Sequence, residues 1–332
     1  MIKKLSCIFS PGIDPCQNLA LEEYLLGLVE PDECILYLWQ NQKTVVVGRN
    51  QNCWRECRVT QLEADGGQLA RRLSGGGAVF HDLGNLNFTF LMPRADFDVE
   101  KQTEVILQAV RSFGIPAERT GRNDLTVGGR KFSGHAYYRT DRACYHHGTL
   151  LMHADMEQME KYLSVSREKL QAKSVDSVRS RVCSLDEFNP DVRVSTLETA
   201  LLIALSEVYV LPISPLADER IERDALDALT EKYASPDWRY GRKMPFEYEL
   251  GRRFDWGELQ LQLHVENGRI ADVEVCSDAL DTGFPELIRT ALCGVPFEAS
   301  AVRAAFAAIP AAEAQTREKT LQDAEALLLE AM

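Results

Sequence analysis

The sequence predicts a mixed α/β fold for a large first domain, followed by a small α+β domain. Strand-like and helical patterns alternate as far as Trp238, which is typical of a domain with mixed β-sheets flanked by helices. Beyond that residue, three strand-like runs precede three helical runs, as in an α+β unit. A loop-like segment, Tyr-Gly-Arg-Lys-Met-Pro at 240–245, separates the two patterns, so the predicted domains are residues 1–244 and 245–332.

Local signals define the elements of the first domain. The short apolar stretch that ends at Pro11 and Gly12 predicts a first strand. Asp14 and Pro15 begin the first predicted helix, because aspartate caps helices and proline is favoured at their first position. Leu21, Leu25 and Leu28 then lie on one face of that helix. The strands predicted after it are 34–39, 44–47, 78–81, 86–92, 125–127, 131–138 and 145–152. The helices predicted after it are 98–113, 156–163, 196–209 and 218–233.

The second domain contains a clear hairpin signal. Asn267 and Gly268 form the residue pair that two-residue hairpin turns favour. The predicted strands are 246–254, 260–266 and 269–276, and the predicted helices are 285–292, 299–309 and 318–329.

Composition restricts the classes of function. The chain is 45% hydrophobic and 26% charged, as in ordinary soluble globular proteins. Its net charge of −13 argues against binding to nucleic acid or to an anionic membrane surface, which needs a basic footprint. No apolar run approaches the roughly 20 residues of a membrane span. Nine scattered cysteines do not resemble a disulfide framework, so we expect a cytoplasmic protein.

The densest motif is R-R-L-S-G-G-G-A-V-F-H-D-L-G-N, which begins at Arg71. Consecutive glycines occur where the backbone turns sharply or approaches a ligand closely. Backbone N–H groups of such a turn, beside Arg71 and Arg72, favour a phosphate. The alternative is a glycine-rich hairpin whose arginines are merely solvated.

Two further segments carry basic residues that could either bind a ligand or simply be solvated. Gly128 and Gly129 predict a tight turn, and Lys131 follows it in a strand, where its charge is held at a defined point. It could equally be an exposed hairpin lysine. In the segment 173–182, Arg179 and Arg181 share one face of an extended chain and could contact a phosphate or a partner. The alternative there is a solvated loop.

Several common sites have no support in the sequence. It contains no P-loop, no dinucleotide-binding glycine motif and no nucleophile elbow. Cys53 and Cys57 have no second close pair to complete a zinc site. His146 and His147 point to opposite faces of a predicted strand, which disfavours a shared metal but leaves one of them free to face a pocket.

Taken together, the motifs resemble those of the bacterial lipoate–protein ligase A family, in the biotin/lipoate protein ligase superfamily. The resemblance covers essentially the whole chain and includes F-D-W-G at 254–257 in the second domain. The matching segments are N-L-A-L-E-E at 18–23, V-V-V-G-R-N-Q-N at 45–52, the glycine run, G-R-N-D-L at 121–125, R-K-F-S-G-H-A-Y at 130–137, H-H-G-T-L-L at 146–151 and S-V-D-S-V-R-S-R-V at 174–182.

The resemblance implies a fold like that of the class II biotin and lipoyl synthetases, and a reaction in two halves. ATP, with Mg²⁺, and the carboxylate of lipoate form lipoyl-adenylate and pyrophosphate. The lipoyl group then passes to one lysine of an apo lipoyl domain. The expected acceptors are subunits of 2-oxo acid dehydrogenase complexes or the glycine cleavage H protein, and we expect a monomeric enzyme.

The resemblance also implies roles for individual residues. Lys131 is the expected catalytic residue, able to bridge the lipoyl carbonyl oxygen and the α-phosphate, where negative charge develops. Asn123 and Asp124 are candidates for orienting the nucleotide or Mg²⁺, followed by His81 and Asn85. The other residues assigned to ATP are Arg72, Gly75, Gly76, Gly77, Ala78, Val79 and Phe80. The candidates for the apolar slot of the lipoyl tail are Leu73, Val79, Ala136 and His147, with Lys131 at the carboxylate.

Two alternatives to the ligase stay open at this point. Acyltransferases of the same fold move octanoyl from acyl carrier protein with a cysteine nucleophile and without ATP, and Cys144 is the candidate here. The C-terminal domain, which those acyltransferases lack, favours the ligase. The other alternative is a non-catalytic lipoate- or lipoyl-domain-binding protein, against which the retention of Lys131 and the arginine–glycine run argues. The linker at 240–245 suggests that the small domain moves between the two half-reactions.

Overall fold

The computed structural model describes residues 1–10, 12–120, 124–164, 182–242, 244–330 and 332. These residues form two compact units. The first unit comprises Met1–Val47, Trp54–Leu73 and Ala78–Arg239, and the second comprises Gly48–Cys53, Ser74–Gly77 and Tyr240–Met332. Two short segments from the N-terminal half therefore group with the C-terminal part, which the sequence did not predict. The predicted mixed α/β class is confirmed.

Strands and helices alternate along the chain. The strands are β1 (Lys4–Phe9), β2 (Glu33–Trp39), β3 (Thr44–Val47), β4 (Gln68–Arg71), β5 (Val79–His81), β6 (Asn85–Pro93), β7 (Glu118–Thr120), β8 (Asp124–Val127), β9 (Arg130–Arg139), β10 (Ala143–Leu151), β11 (Ile213–Pro215), β12 (Tyr248–Phe254), β13 (Gly257–Glu266) and β14 (Arg269–Ser277). The helices are α1 (Pro15–Leu28), α2 (Cys53–Glu56), α3 (Val59–Ala64), α4 (Val99–Arg111), α5 (Met156–Tyr162), α6 (Val194–Tyr209), α7 (Arg223–Ala234), α8 (Pro236–Tyr240), α9 (Phe284–Leu292), α10 (Ala299–Ala307), α11 (Ala311–Thr316) and α12 (Glu318–Leu329).

The larger sheet of the first unit has the strand order β11-β1-β2-β6-β10-β9-β8-β7. β1 pairs in parallel with β2 and β11, whereas the pairs from β2 to β7 are antiparallel. One face packs against α4 and α6 through a cluster that includes Phe88 and Phe90. The other face packs against α1 through a cluster that includes Tyr37 and Leu91. The central strands are therefore buried on both faces.

A smaller sheet of the first unit, with the order β4-β3-β5, carries part of the arginine–glycine motif. β3 pairs in parallel with β4 and antiparallel with β5. Arg71 is the last residue of β4, and the backbone N–H of Arg72 continues the pairing by donating to the carbonyl of Val47 at 3.1 Å. Arg71 therefore ends a strand and Arg72 extends its pairing, directly before the serine and the three glycines.

The second unit contains an antiparallel sheet with the order β12-β13-β14. Asn267 and Gly268 form the predicted turn between β13 and β14, with φ of 52° and 72°. Leu261 and Val273 of the sheet and Phe284 of α9 belong to one buried apolar cluster. This unit has the predicted order of three strands followed by helices.

Differences from the predicted elements are confined to short segments. The predicted helix at 218–233 is divided, with a 3₁₀ turn at Asp218–Arg220 before α7, and the break allows Arg220 to reach Glu33. The elements that were not predicted are β4, β7, β11, α2, α3, α8 and α11, each of six residues or fewer. Runs of that length contain too few residues to show a clear periodicity. In the described part of the chain, we find no helix with both the length and the apolar character needed to cross a membrane.

Candidate functional site

A buried polar cluster lies on the α1 face of the larger sheet. Glu22 of α1 is 2% exposed, and its Oε1 accepts hydrogen bonds from Thr89 Oγ1 at 2.7 Å and from His147 Nδ1 at 2.8 Å. Thr89 and His147 are register partners on β6 and β10. Nε1 of Trp39 donates to Thr89 Oγ1 at 3.1 Å. The cluster holds the His147 ring in a fixed orientation within an otherwise apolar wall.

Arg72 adds a buried positive charge to this region. Burial lowers the pKa of Arg72 to about 10, while the neighbouring Tyr145 and Glu22 oppose that effect. A pKa of about 10 leaves the guanidinium charged at neutral pH, and its Nη1 donates to the carbonyl of Val46 at 3.1 Å. Arg71 is also buried and donates through Nε to the carbonyl of Trp238 at 2.9 Å. The alternative of two solvated arginines is therefore wrong.

Three buried polar atoms on β5 and β6 lack a hydrogen-bond partner among the described residues. They are Nε2 of His81, Oδ1 of Asn85 and Nδ2 of Asn87. Burial lowers the pKa of His81 to about 3, and the charge of Arg72 acts in the same direction, so the ring is neutral. Because leaving a buried polar group unpaired costs about 1–3 kcal/mol, these atoms favour polar partners from outside the chain.

Lys131 occupies an irregular position in β9. It pairs with Thr126 of β8, and Ser133 pairs with the preceding residue, Leu125, so Phe132 is an extra residue in a β-bulge. A bulge changes the direction of the side chains beside it. The ammonium of Lys131 lies 2.6 Å from Oδ1 of Asp124, and both side chains are partly exposed. The predicted lysine and carboxylate are therefore brought together.

The candidate residues for the lipoyl tail lie around the polar cluster. Leu73 belongs to the apolar cluster on the α1 face, and Val79 packs against it. Ala136 of β9 is the register partner of His147, whose ring lies 4.7 Å from that of Tyr145. Ala136 and His147 therefore lie side by side on the larger sheet, and Leu73 and Val79 belong to the apolar packing on its α1 face. The role of all four in binding stays a prediction. Asn123, Arg179 and Arg181 lie outside the described residues.

The glycine run is divided between the two units. Ala78, Val79 and Phe80 lie in the first unit, whereas Gly75, Gly76 and Gly77 belong to the second. A Cβ added at Gly75 would lie 2.2 Å from the carbonyl oxygen of Ala279, and the N–H of Gly76 donates to the same oxygen at 3.2 Å. Close packing of backbone within the second unit thus already requires glycine at Gly75, whether or not a phosphate also binds there.

A chain of buried hydrogen bonds lies on the opposite face of the sheet from His147. Ser133 Oγ and His135 Nε2 lie 3.0 Å apart, as do His135 Nδ1 and His146 Nε2, and His146 Nδ1 lies 2.8 Å from Gln102 Oε1. Burial lowers the pKa of His135 to about 3 and that of His146 well below its usual value, so both rings are neutral. Lys131, whose charge also lowers the pKa of His135, therefore supplies positive charge beside two neutral rings.

The structure supports neither a nucleophilic Cys144 nor a metal site built from protein side chains among the described residues. Burial raises the pKa of the fully buried Cys144 thiol, which disfavours the reactive thiolate. Across the residues that are described, no group of three or more His, Cys, Asp or Glu side chains could hold a metal ion.

The sequence analysis assigns no role to Glu22, although this residue lies in the N-L-A-L-E-E motif. The available signal was a carboxylate on the buried face of α1, three residues from both Leu19 and Leu25. Charged residues on such a face are almost always paired. His135 and Gln102 carried no comparable signal, because their partners come from strands and helices distant in sequence.

Comparison with known proteins identifies the relatives of both units. Residues 14–206 match the family described as "Lipoyl protein ligase A/B catalytic domain", and residues 243–328 match "Bacterial lipoate protein ligase C-terminus". A lipoate-protein ligase A of Psychrobacter cryohalolentis is 40% identical over 311 residues, covering 91% of this chain and 92% of the relative.

Solved structures agree with this assignment. The structure of P. falciparum LipL1 in complex with lipoate has a TM-score of 0.84 and 26% identity, covering 98% of this chain and 99% of its own. A lipoate-protein ligase A bound with ATP has a TM-score of 0.63 and 25% identity, covering 73% of this chain and 99% of its own.

Proposed function

The chain belongs to the lipoate–protein ligase A family, and we propose that it activates lipoate with ATP and transfers the lipoyl group to a protein lysine. The observation that carries the proposal is the Lys131–Asp124 pair at a β-bulge, in the position of the family's motif lysine. The pair places a charged ammonium, partly open to solvent, beside a carboxylate that suits Mg²⁺.

In the first half-reaction, a carboxylate oxygen of lipoate attacks the α-phosphorus of ATP, and pyrophosphate leaves. Both reactants are anions, so their mutual repulsion has to be reduced. Lys131 does this by exchanging Asp124 for the lipoyl carboxylate and the α-phosphate, where negative charge develops. Arg72, whose pKa of about 10 keeps it charged at neutral pH, supplies a second positive charge for the nucleotide.

The α1 face of the sheet suits the lipoyl tail. Leu73, Val79 and Ala136 contribute apolar surface, and the hydrogen bond to Glu22 holds His147 in place. Small-molecule sites are mostly apolar, with a few polar groups that fix orientation. The unpartnered Nε2 of His81 is one such polar group.

In the second half-reaction, the ε-amine of the acceptor lysine attacks the lipoyl carbonyl, and AMP leaves. We propose apo lipoyl domains of 2-oxo acid dehydrogenase complexes or the glycine cleavage H protein as acceptors, and a cytoplasmic, monomeric enzyme. Transfer by Cys144 without ATP is disfavoured, because burial raises the pKa of its thiol.

The test is one reconstituted reaction. Purified chain, lipoate, MgATP and an apo lipoyl domain are incubated, and the mass of the domain and the release of pyrophosphate are measured. We expect one lipoyl group per domain and pyrophosphate only when lipoate is present. Acylation from an acyl-carrier donor without ATP, lost in Cys144→Ser, would establish the transferase instead.

A further inference from the structure

The end of the Lys131 side chain crosses the backbone at Gly134. A Cβ added at Gly134 would lie 2.5 Å from Nζ and 2.8 Å from Cε of Lys131. Both distances are far below normal van der Waals contact, so any side chain at residue 134 displaces the ammonium. Gly134 is not among the glycines with positive φ, so the backbone conformation itself does not require glycine there.

Pairing across the sheet explains why the lysine takes this route. Gly134 is the register partner of Asp124, the residue whose Oδ1 lies 2.6 Å from Nζ of Lys131. The bulge places Lys131 opposite Thr126, two residues from Asp124 along β8, so its side chain passes over Gly134 to reach Asp124. Gly134 therefore occupies the point of closest approach between the lysine and the strand.

Gly148, on the neighbouring strand β10, packs closely against the backbone of Gly134. A Cβ added at Gly148 of β10 would lie 2.5 Å from the carbonyl oxygen of Gly134 and 2.7 Å from the ring of Phe88. Glycine at 148 therefore lets the Gly134 backbone lie close to β10. An added side chain would meet different neighbours at the two positions. At residue 148 it would meet backbone and a buried ring, whereas at residue 134 it would meet the end of a flexible side chain.

We infer that Gly134 is a positioning residue for adenylate formation, because its missing side chain leaves space for the end of Lys131. The inference rests on the proposed function, in which Lys131 stabilises the charge that develops during adenylation. An alanine methyl forces Nζ away from its observed position. A misplacement of about 1 Å in an active site can lower the rate about a hundredfold.

Steady-state kinetics of Gly134→Ala provide the test. With lipoate and MgATP, we expect kcat for pyrophosphate release to fall about 10- to 100-fold, with a much smaller change in KM for lipoate. The unfolding temperature should stay close to that of the wild type, because the added methyl meets only the end of a flexible side chain. Unfolding of the variant at the assay temperature would overturn the inference.

Two glycine variants serve as matched controls. Gly27→Ala in α1 adds a methyl where nothing in the described part of the chain lies within 4 Å, and it should keep the wild-type kcat with unchanged or slightly higher stability. Gly148→Ala meets a carbonyl oxygen and a ring, and it should lower the unfolding temperature. A purely structural role for Gly134 would make Gly134→Ala resemble Gly148→Ala.

A double variant separates failure of the inference from failure of the proposed function. If the wild type releases no pyrophosphate, the proposed function itself is wrong. If the wild type is active and Lys131→Ala is not, then wild-type kcat in Gly134→Ala overturns the inference alone. In the Lys131→Ala background, Gly134→Ala should lower the residual rate no further, and an additional loss of the same size would contradict action through Lys131.

Discussion

Two ion pairs of the first unit differ in how completely they are enclosed. Glu33 of β2 is fully buried and accepts hydrogen bonds from Nη1 and Nη2 of Arg220 at 2.7 Å and 2.8 Å, and Ser6 Oγ donates to the same carboxylate. The side chain of Arg220 is 18% exposed. Asp124 and Lys131 are as close, at 2.6 Å, but 30% and 25% of their side-chain surface stays exposed. A closed pair stabilises the fold, whereas a pair with an open face can exchange one partner for a substrate.

Arg220→Met should give the largest effect on stability. It removes the guanidinium from the buried Glu33 and leaves Lys4 Nζ at 3.3 Å from that carboxylate. Breaking a buried pair costs about 3–5 kcal/mol, and the remaining contact with Lys4 places the expected loss near the lower end of this range. Urea unfolding measures this loss. At temperatures where the variant stays folded, pyrophosphate release should match the wild type, and a loss below about 1 kcal/mol would mean that the pair is not structural.

Lys131→Ala should lower activity strongly and change stability little, in contrast to Arg220→Met. Loss of one charged donor lowers the adenylation rate about 10²- to 10³-fold, or about 3–4 kcal/mol. The free energy of unfolding should change by less than about 1 kcal/mol, because partly exposed pairs contribute little. Lys161→Ala, which removes a partly exposed pair with Asp65 at 2.7 Å, is the matched control and should keep full activity.

Acid should weaken the closed pair of Glu33 and Arg220, because its contribution to stability requires an ionised carboxylate. Burial alone raises the pKa of Glu33, but hydrogen bonds from Arg220 and Ser6 outweigh it and lower the pKa to about 2 from an ordinary 4.5. Because the folded-state pKa is depressed, this pair stabilises the fold above pH 4.5, and the contribution is lost as the pH falls towards 2. The difference corresponds to about 3 kcal/mol.

Unfolding measured between pH 4.5 and pH 2 tests whether the Glu33–Arg220 pair causes this loss of stability. The wild type should lose stability progressively over the interval, and Arg220→Met should show a much smaller slope. Equal slopes in the two proteins would assign the acid sensitivity to other groups.

The glycine run allows a smaller test of the same distinction between structural and functional roles. Gly75→Ala brings a methyl to within 2.2 Å of the Ala279 carbonyl oxygen, and such overpacking costs about 1–3 kcal/mol. Gly77→Ala meets nothing within 4 Å among the residues described and should leave stability nearly unchanged. Equal unfolding temperatures of the two variants would show that close packing does not require Gly75.

The sequence predicted the long elements and the main site motifs, and the reasons for its omissions are physical. The strand at Thr44–Val47 was predicted with its observed bounds, because its apolar run has clear limits. The bulge at Phe132 was missed, since an extra residue in one strand depends on pairing with the other. Glycine beside basic residues was ambiguous, because the sequence does not show whether the space serves a ligand, a backbone or a lysine side chain.

Single-turnover formation of lipoyl-adenylate is the most direct test of the central distinction between the two pairs. Enzyme in excess is mixed with lipoate and MgATP, and the adenylate is quantified after rapid quenching for the wild type, Lys131→Ala and Arg220→Met. We predict a rate lowered about 10²- to 10³-fold in Lys131→Ala and a wild-type rate in folded Arg220→Met. A wild-type rate in Lys131→Ala, or a comparable loss in folded Arg220→Met, would contradict the assignment of the open pair to catalysis and the closed pair to stability.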